Sequence, residues 1–433
     1  MNDNKKKSEI IKKTILEAIQ YENQIPKSSS NLWSSLINNL YNAKNTITYN
    51  IVSRGTKFDY SLFNYATLFN YSYYLKNEND KKKFEEKLKT IIYFSYRKNY
   101  PVQINYKNKS EYTSDCGWGC MIRSSQMLLA RAIYKILKKT NSPERAFKLT
   151  LYYFFEYPIN ESSLPFCLSH YYNKLKNELN LNEQINKKIF SPFSIKNICS
   201  IGEIYGKTCG EWFSDVNLPH IFDIINLNMN VIPNLKVINF TSCVLLKNLI
   251  EKCFKKPNSI ITVGNNNLEY INFNDEQYIL ENSGLIFISV RLGIYNISEE
   301  YYFAMKKLYS CKEFLGFVGG KNNAASYFIG FNEKNMIYLD PHYSQDSIVL
   351  PIDDNNIKSY SVTNLYQIPF ENLQPAFTMG FLFTNILEFN DMINFFIEHN
   401  KLKFSCFSFQ IDNYSLKINS SFINNSSMNR NDF

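Results

Sequence analysis

Gly117-Trp118-Gly119-Cys120, with the run over 121–139 behind it, constrains this chain more than any other feature. Ile122, Leu129, Ile133, Ile136 and Leu137 recur at helical spacing. Ala130 and Ala132 add helix propensity, and Lys138 and Lys139 stand where a helix end favours positive charge. Two glycines before the run permit a sharp bend, so Cys120 falls at or beside the first helical turn. Unpaired N–H groups and the positive dipole end there favour thiolate over thiol. The same N–H groups can donate to an oxyanion. A cysteine after a glycine turn is more often a buried structural residue. The context therefore makes Cys120 a candidate nucleophile and, alone, no more than that.

The rest of the cysteine usage agrees with a free thiol. Nine cysteines lie far apart with no Cys-x-x-Cys, against both a disulfide framework and a thiolate zinc site. No His/Glu cluster has metal spacing, and no metal or other cofactor is expected. Residues 1–13 are polar with no apolar segment behind them, which predicts a cytoplasmic, reducing location. The longest apolar runs, around 285–290 and 380–383, are far short of a membrane span. A net charge of +9 comes from scattered Lys and Arg. The compact basic runs Lys5-Lys6-Lys7 and Lys81-Lys82-Lys83 have acidic neighbours such as Glu9, Asp80, Glu85 and Glu86. They read as solvated surface, with no nucleic-acid face.

At 433 residues, 45% hydrophobic and 16% aromatic, the chain can fill one large core or two modest ones. Residues 1–45 read as a helix (8–21) and a Ser/Asn-rich linker (26–31). The main domain spans 46–400, with strands or a loosely ordered aromatic segment over 46–75 and a charged helix over 77–88. Ser142-Pro143-Glu144 starts another helix: a hydroxyl cap, a proline at the first position and an acid at the positive dipole end. Residues 173–188, rich in Asn and Lys, read as an exposed insertion. The run 284–290 predicts a buried strand, Ser298 opens a helix to about 308, and 332–335 turn a hairpin. Residues 401–433 drift into Asn and Ser and are expected to be a disordered tail. Helix near the thiol and strands later in the chain give an α+β architecture.

A thiol nucleophile needs an imidazole, and the chain has four. His170 adjoins the apparent insertion, His220 follows Pro219 at a helix start, and His399 lies near the tail. His342 stands in Leu339-Asp340-Pro341-His342, directly after a strand. In extended chain, residues i and i+2 project to one side, and Pro341 biases Asp340 toward that geometry. Asp340 can then fix the tautomer of His342 and favour imidazolium. An Asp-Pro turn with a surface histidine is the commoner meaning of such a segment, and Cys120 as partner reverses the balance. Gly319-Gly320-Lys321-Asn322 fails as a phosphate loop, because Leu315 and Asn322 stand where glycine and a hydroxyl are required. It reads as a flexible glycine turn bordering the cleft.

Thr113-Ser114-Asp115-Cys116-Gly117-Trp118-Gly119-Cys120-Met121-Ile122-Arg123 resembles the active-site signature of the autophagins, the autophagy-related cysteine proteases. Leu315-Gly316-Phe317-Val318-Gly319-Gly320-Lys321 is similar to their glycine loop, and Ile337-Tyr338-Leu339-Asp340-Pro341-His342 to their Asp-Pro-His segment. Phe94-Ser95-Tyr96-Arg97-Lys98-Asn99-Tyr100-Pro101 and Gly210-Glu211-Trp212-Phe213 also match in order. The resemblance implies a papain-like fold with a small extra subdomain over the main domain. It implies cleavage after a glycine near the C-terminus of a ubiquitin-like autophagy modifier, and release of that modifier from phosphatidylethanolamine. It further implies a monomer that meets membrane only through the lipidated substrate. Cys120 maps to the nucleophile, His342 to the base, Asp340 to its orienter and Tyr96 to an oxyanion donor. Trp212 maps to the indole roofing the glycine groove, with Gly319 and Gly320 beside the substrate. Cys116 stands where the family usually has Thr, Ser124-Ser125 where Cys-Gly is common, and Lys312 where the gating loop often has proline. Cys116 could bridge to Cys120, but strain at a tight turn favours a neutral swap. A catalytically inactive modifier-binding module and a deubiquitinase-like enzyme are the alternatives. Retention of all four catalytic positions weighs against the first, and Trp212 with the Gly-Gly-Lys segment against the second.

Overall fold

Gly284 to Val290 is apolar at nearly every position, so both faces of that strand need cover and it belongs inside a sheet. The computed structural model describes residues 55–105, 110–159, 164–178, 190–255, 279–321, 324–350 and 352–411. The early helix, the linker and the end of the tail lie outside these residues. In chain order the strands are β1 (Thr56–Lys57), β2 (Tyr65–Leu68), β3 (Tyr71–Tyr74), β4 (Tyr96–Asn105), β5 (Ser110–Ser114), β6 (Leu235–Thr241), β7 (Cys243–Leu245), β8 (Ser283–Arg291), β9 (Phe314–Lys321), β10 (Ala324–Phe331), β11 (Asn335–Leu339), β12 (Ser344–Asp346), β13 (Tyr366–Pro369), β14 (Ala376–Phe383) and β15 (Ser408–Gln410). The helices are α1 (Glu78–Lys89), α2 (Cys120–Leu137), α3 (Pro143–Leu151), α4 (Ser169–Glu178), α5 (Ile195–Gly202), α6 (Asn217–Met229), α7 (Leu246–Cys253), α8 (Tyr302–Leu308) and α9 (Ile386–Asn400).

The main sheet runs β1-β13-β11-β10-β9-β14-β8-β6, with the β2–β3 hairpin joined at β10. Its pairs are antiparallel except β6–β8. Successive residues of β8 serve opposite cores. Leu285 and Phe287 join the layer of α2, α5 and α6, whereas Ile286 and Ile288 join the layer of α7, α8 and α9. This is period-two alternation with both faces apolar. The α+β class read from the sequence holds.

Helix α2 lies across β9 and β10, and its residues 120–130 are all buried. Truncating Leu129, which is almost fully covered, would cost about 2–5 kcal/mol. Local signals set the flanking helices. Asn77 caps α1 and Ser142 caps α3 through their side chains, with Pro143 at the first position of α3. The β10–β11 hairpin turns at Asn332, whose Oδ1 accepts from the Asn335 N–H at 3.0 Å.

Two segments differ from expectation. Residues 173–178 complete α4 and bury Leu175, because its apolar spacing continues that of Tyr171 and Tyr172; residues 179–188 lie outside the described residues. The tail stays packed to Ile411, since Phe407 and Phe409 fill the second core and β15 pairs in parallel with β7.

Candidate active site

Cys120 opens α2 and is buried. The two glycines before it do different jobs. Gly117 sits at φ 86°, a conformation side chains avoid. Gly119 has an ordinary φ of −85°, but a Cβ there would lie 2.6 Å from the Asp115 Cβ. One glycine permits the bend, and the other admits a carboxylate beneath the thiol. No side chain caps this helix end, so its first-turn N–H groups stay available.

The Asp-Pro-His segment lies between β11 and β12, both short and extended. Asp340 Oδ1 accepts from the His342 backbone N–H at 3.0 Å and meets Nδ1 of the ring at 2.6 Å. The direct bond that the sequence left open is therefore present. It leaves the other ring nitrogen for the Cys120 thiol, with which the imidazole is hydrogen-bonded. The Tyr96 hydroxyl also bonds the thiol, and its ring meets His342 edge-on at 5.4 Å. The Ala325 N–H of β10 points at the sulfur as well.

Backbone pairing holds these groups in place. Ser344 of β12 pairs in parallel with Tyr96 of β4, and the Tyr96 N–H donates to the Pro341 carbonyl at 2.8 Å. Tyr93 Oη donates to the Asp340 carbonyl at 2.6 Å. The strand with the phenol and the strand with the imidazole thus move together.

Electrostatics favour a charged pair. Burial opposes the Cys120 thiolate, yet the His342 bond and charge, the Ala325 N–H and the Tyr96 hydroxyl outweigh it and hold the thiol below its usual range. Burial likewise opposes imidazolium, and the bonds to Asp340 and Cys120 overcome it, taking His342 up to about 9. Tyr96 is driven well above the ordinary tyrosine value, first by burial and then by the neighbouring thiols and Asp115. It remains a proton donor at any physiological pH. Such a site can run acyl transfer through sulfur.

A second set of charges, unnoticed in the sequence, lies beneath the thiol. Asp115 Oδ1 accepts from the Arg97 N–H at 2.6 Å, next to Tyr96, and Oδ2 accepts from Arg123 Nε at 2.6 Å. Arg123 Nη1 donates to Glu156 Oε1 at 2.7 Å, and Glu156 Oε2 accepts from the Ile195 N–H at 2.9 Å. All three charged side chains are buried. Asp115 therefore ties the strand of Tyr96 to the helix of Cys120. The available signal was Glu156 within Tyr153-Phe154-Phe155-Glu156, an acid in a run too apolar for solvent.

The remaining expected positions sit farther out. Trp212 is 40% exposed. Its loop packs at Gly210 against Tyr112, whose ring meets Trp118 at 5.8 Å, two residues before Cys120. Gly319 and Gly320 do not form a turn. They lie in β9 opposite Ser326 and Ala325, the latter being the thiol's neighbour. An added Cβ at Gly319 would lie 2.6 Å from the Phe377 Cβ, so close packing in a strand requires that glycine, whereas at Gly320 it would meet the movable end of Gln374, Oε1 at 2.2 Å. Lys312 lies near the far end of α2, where its carbonyl accepts from Lys135 Nζ at 3.0 Å and the residue lines a cavity with Lys135 and Arg131. Cys116 and Cys120 are not joined by a disulfide. His170 and His220 are exposed, and His399 is buried against Ser405 and Phe407. Among the described residues, no group of three or more His, Cys, Asp and Glu could hold a metal, and no helix is long and apolar enough to cross a membrane.

A family model described as the peptidase C54 catalytic domain matches residues 81–395. The chain is 26% identical over 343 residues to the cysteine protease ATG4D of Xenopus laevis, covering 74% of this chain and 68% of the relative. It is 30% identical over 292 residues to the cysteine protease ATG4 of Candida albicans, with coverages of 66% and 51%. Against the human cysteine protease ATG4C the identity is 25% over 326 residues, with coverages of 69% and 67%. The chain thus spans from about half to about two thirds of the length of these relatives.

Proposed function

This chain belongs to the peptidase C54 family of papain-like cysteine peptidases, and on that premise we propose that it is a cytoplasmic endopeptidase acting as a single chain on a ubiquitin-like autophagy modifier. It cuts after the glycine near the modifier's C-terminus and releases the modifier from phosphatidylethanolamine. One observation carries the reading: the Cys120 thiol is bonded to His342, whose Nδ1 is held at 2.6 Å by a buried Asp340.

In this scheme the Cys120 thiolate attacks the glycine carbonyl carbon. The developing oxyanion takes hydrogen bonds from the Tyr96 hydroxyl and the first-turn N–H groups of α2. Collapse breaks the C–N bond, and His342 gives its proton to the departing amine. Water, deprotonated by His342, then attacks the thioester and frees the carboxylate and the sulfur. A glycine amide to the ethanolamine headgroup is the same kind of bond as a peptide, so one site serves both reactions. Trp212 roofs the groove, with Gly319 and Gly320 beside the substrate, which admits backbone and excludes a side chain at the cleaved glycine. Membrane contact then comes through the lipidated substrate.

The test is incubation with the modifier precursor and mass measurement of the product C-terminus. Wild-type protein is expected to leave a terminal glycine, and Cys120→Ala to bind the precursor without trimming it. Trimming by Cys120→Ala overturns the reading. Hydrolysis of a ubiquitin substrate with the modifier left intact would favour the deubiquitinase alternative.

A further inference from the structure

Beyond the thiol site, a cavity of about 420 Å³ opens beside the far half of α2. Arg131 lies 11 residues past Cys120, about 16 Å along the helix axis, so the two sites are distinct. Lys87 of α1, Arg131, Lys135, Lys138 and Lys139 on or just after α2, and Lys312 line the cavity, and no carboxylate does. The neighbouring groove, which shares Thr90 and Tyr134, has ordinary balance: Glu85, Glu86 and Glu144 against Lys89 and Lys148.

The cations in the cavity lack the partners that such groups normally find. Arg131 Nε is buried with no hydrogen bond among the described residues. Its guanidinium lies 4.4 Å from the Phe69 ring centroid, and the groups acting on its charge are tyrosines. Lys87 stands over the Tyr71 ring at 4.7 Å. Lys135 donates to a neutral carbonyl, that of Lys312, and Glu313 and Glu388 act on its charge without an ion pair among the described residues. Among the described residues, Lys139 alone of the six has a carboxylate ion pair, Glu388 at 3.2 Å. A helix end favours one or two positive charges, which accounts for Lys138 and Lys139 but not for Lys87 or Arg131. Burial first, and then Arg131, Lys135 and Lys138, push Lys87 down to about 7. The cluster costs free energy for as long as no anion joins it.

We propose that this cavity binds a multiply phosphorylated small anion of the inositol-phosphate type. Several basic side chains converging on a space this small call for a ligand that is itself dense in negative charge. Phosphate monoesters carry about −1.5 to −2 each, whereas an acidic peptide spreads its charge along the chain. Arginine offers a fork for phosphate oxygens and lysines offer point charges around it. Cations already cover Phe69 and Tyr71, so a purine would find no free ring to stack on. A compact polyol fits better than a nucleotide. This inference does not rest on the catalytic reading.

The experiment is calorimetric titration of the full chain with inositol 1,4,5-trisphosphate at low salt. A parallel arm measures co-sedimentation with phosphatidylcholine vesicles containing phosphatidylinositol 4,5-bisphosphate. Saturable one-to-one binding is expected, weakened about tenfold or more by Arg131→Gln and by Lys138→Gln. Lys138 is exposed, so its variant tests the site even if Arg131→Gln does not fold. Lys89→Gln, in the balanced groove, should bind as wild type. Binding in the soluble arm alone identifies a free polyphosphate, and binding in the vesicle arm identifies a headgroup; either supports the site. Absence of saturable binding in both arms, variants that bind like wild type, equal retention on phosphatidylserine vesicles of matched charge, or tighter binding of ATP would overturn it.

Discussion

The two ends of α2 handle positive charge in opposite ways, with Arg123 buried and Arg131 half-buried. Near Cys120, Arg123 is sealed between Asp115 and Glu156, and each carboxylate also takes a backbone N–H. At the other end Arg131 has aromatic rings around it and no carboxylate partner among the described residues. A buried charge with matched partners has one low-energy arrangement and holds its surroundings in register. One without partners destabilises the bare protein and gains most from a ligand. Rigidity belongs to the end where atoms must meet within hydrogen-bond distance, and unmet charge to the end free to recruit an anion.

The sharpest way to break this contrast is at the site the rigid end serves. Asp340→Asn is expected to lower kcat/KM by about 10³–10⁴-fold. The same change should move the alkaline limb of the pH–rate profile to lower pH. His342 owes its rise to about 9 to the Asp340 and Cys120 bonds, so losing one brings deprotonation earlier. A variant with an unshifted limb would detach Asp340 from the imidazole's charge. Next in size is Arg123→Met, which strands Asp115 and Glu156 and should cost about 3–5 kcal/mol in chemical denaturation.

Glu156 offers a pH version of the same comparison. Burial, opposed by Arg123, raises its carboxyl to about 7. The folded chain then binds more protons than the unfolded one between its ordinary value of 4.5 and about 7, so this group's contribution to stability falls as pH rises through that window. Glu156→Gln should flatten that part of the stability profile, as read by urea midpoints across pH. Trp212→Ala should lower kcat/KM roughly tenfold while shifting stability by less than about 0.5 kcal/mol, since the indole is partly exposed and peripheral to the core. Smallest of all is Arg131→Met without ligand. Removing an unpartnered charge should leave stability within about 1 kcal/mol of wild type or raise it. A loss as large as that of Arg123→Met would erase the distinction between the two ends.

Short-range physics explains what was legible. The start of α2, the cap at Ser142, the hairpin at Asn332 and the same-side geometry of Asp340 and His342 depend on neighbours a few residues apart. Gly319 and Gly320 misled, because the same residue serves an open turn or a strand crowded by Phe377 and Gln374. Residues 402–411 looked unstructured by composition, yet a few aromatics sufficed to pack them. The partnership of Asp115, Arg123 and Glu156 was invisible, since Glu156 lies 33 positions from Arg123.

By itself the amino-acid order determined the reactive groups and their local settings: a cysteine at a helix mouth, an imidazole two residues past a carboxylate, and a phenol in a strand. Only the tertiary structure decided that these meet, and which buried charges find partners. Local conformation follows from backbone sterics and nearby hydrogen bonds. Whether a charge is paired depends on which distant segments the sheet brings alongside it, and at close range in a low-dielectric interior that pairing decides its free energy.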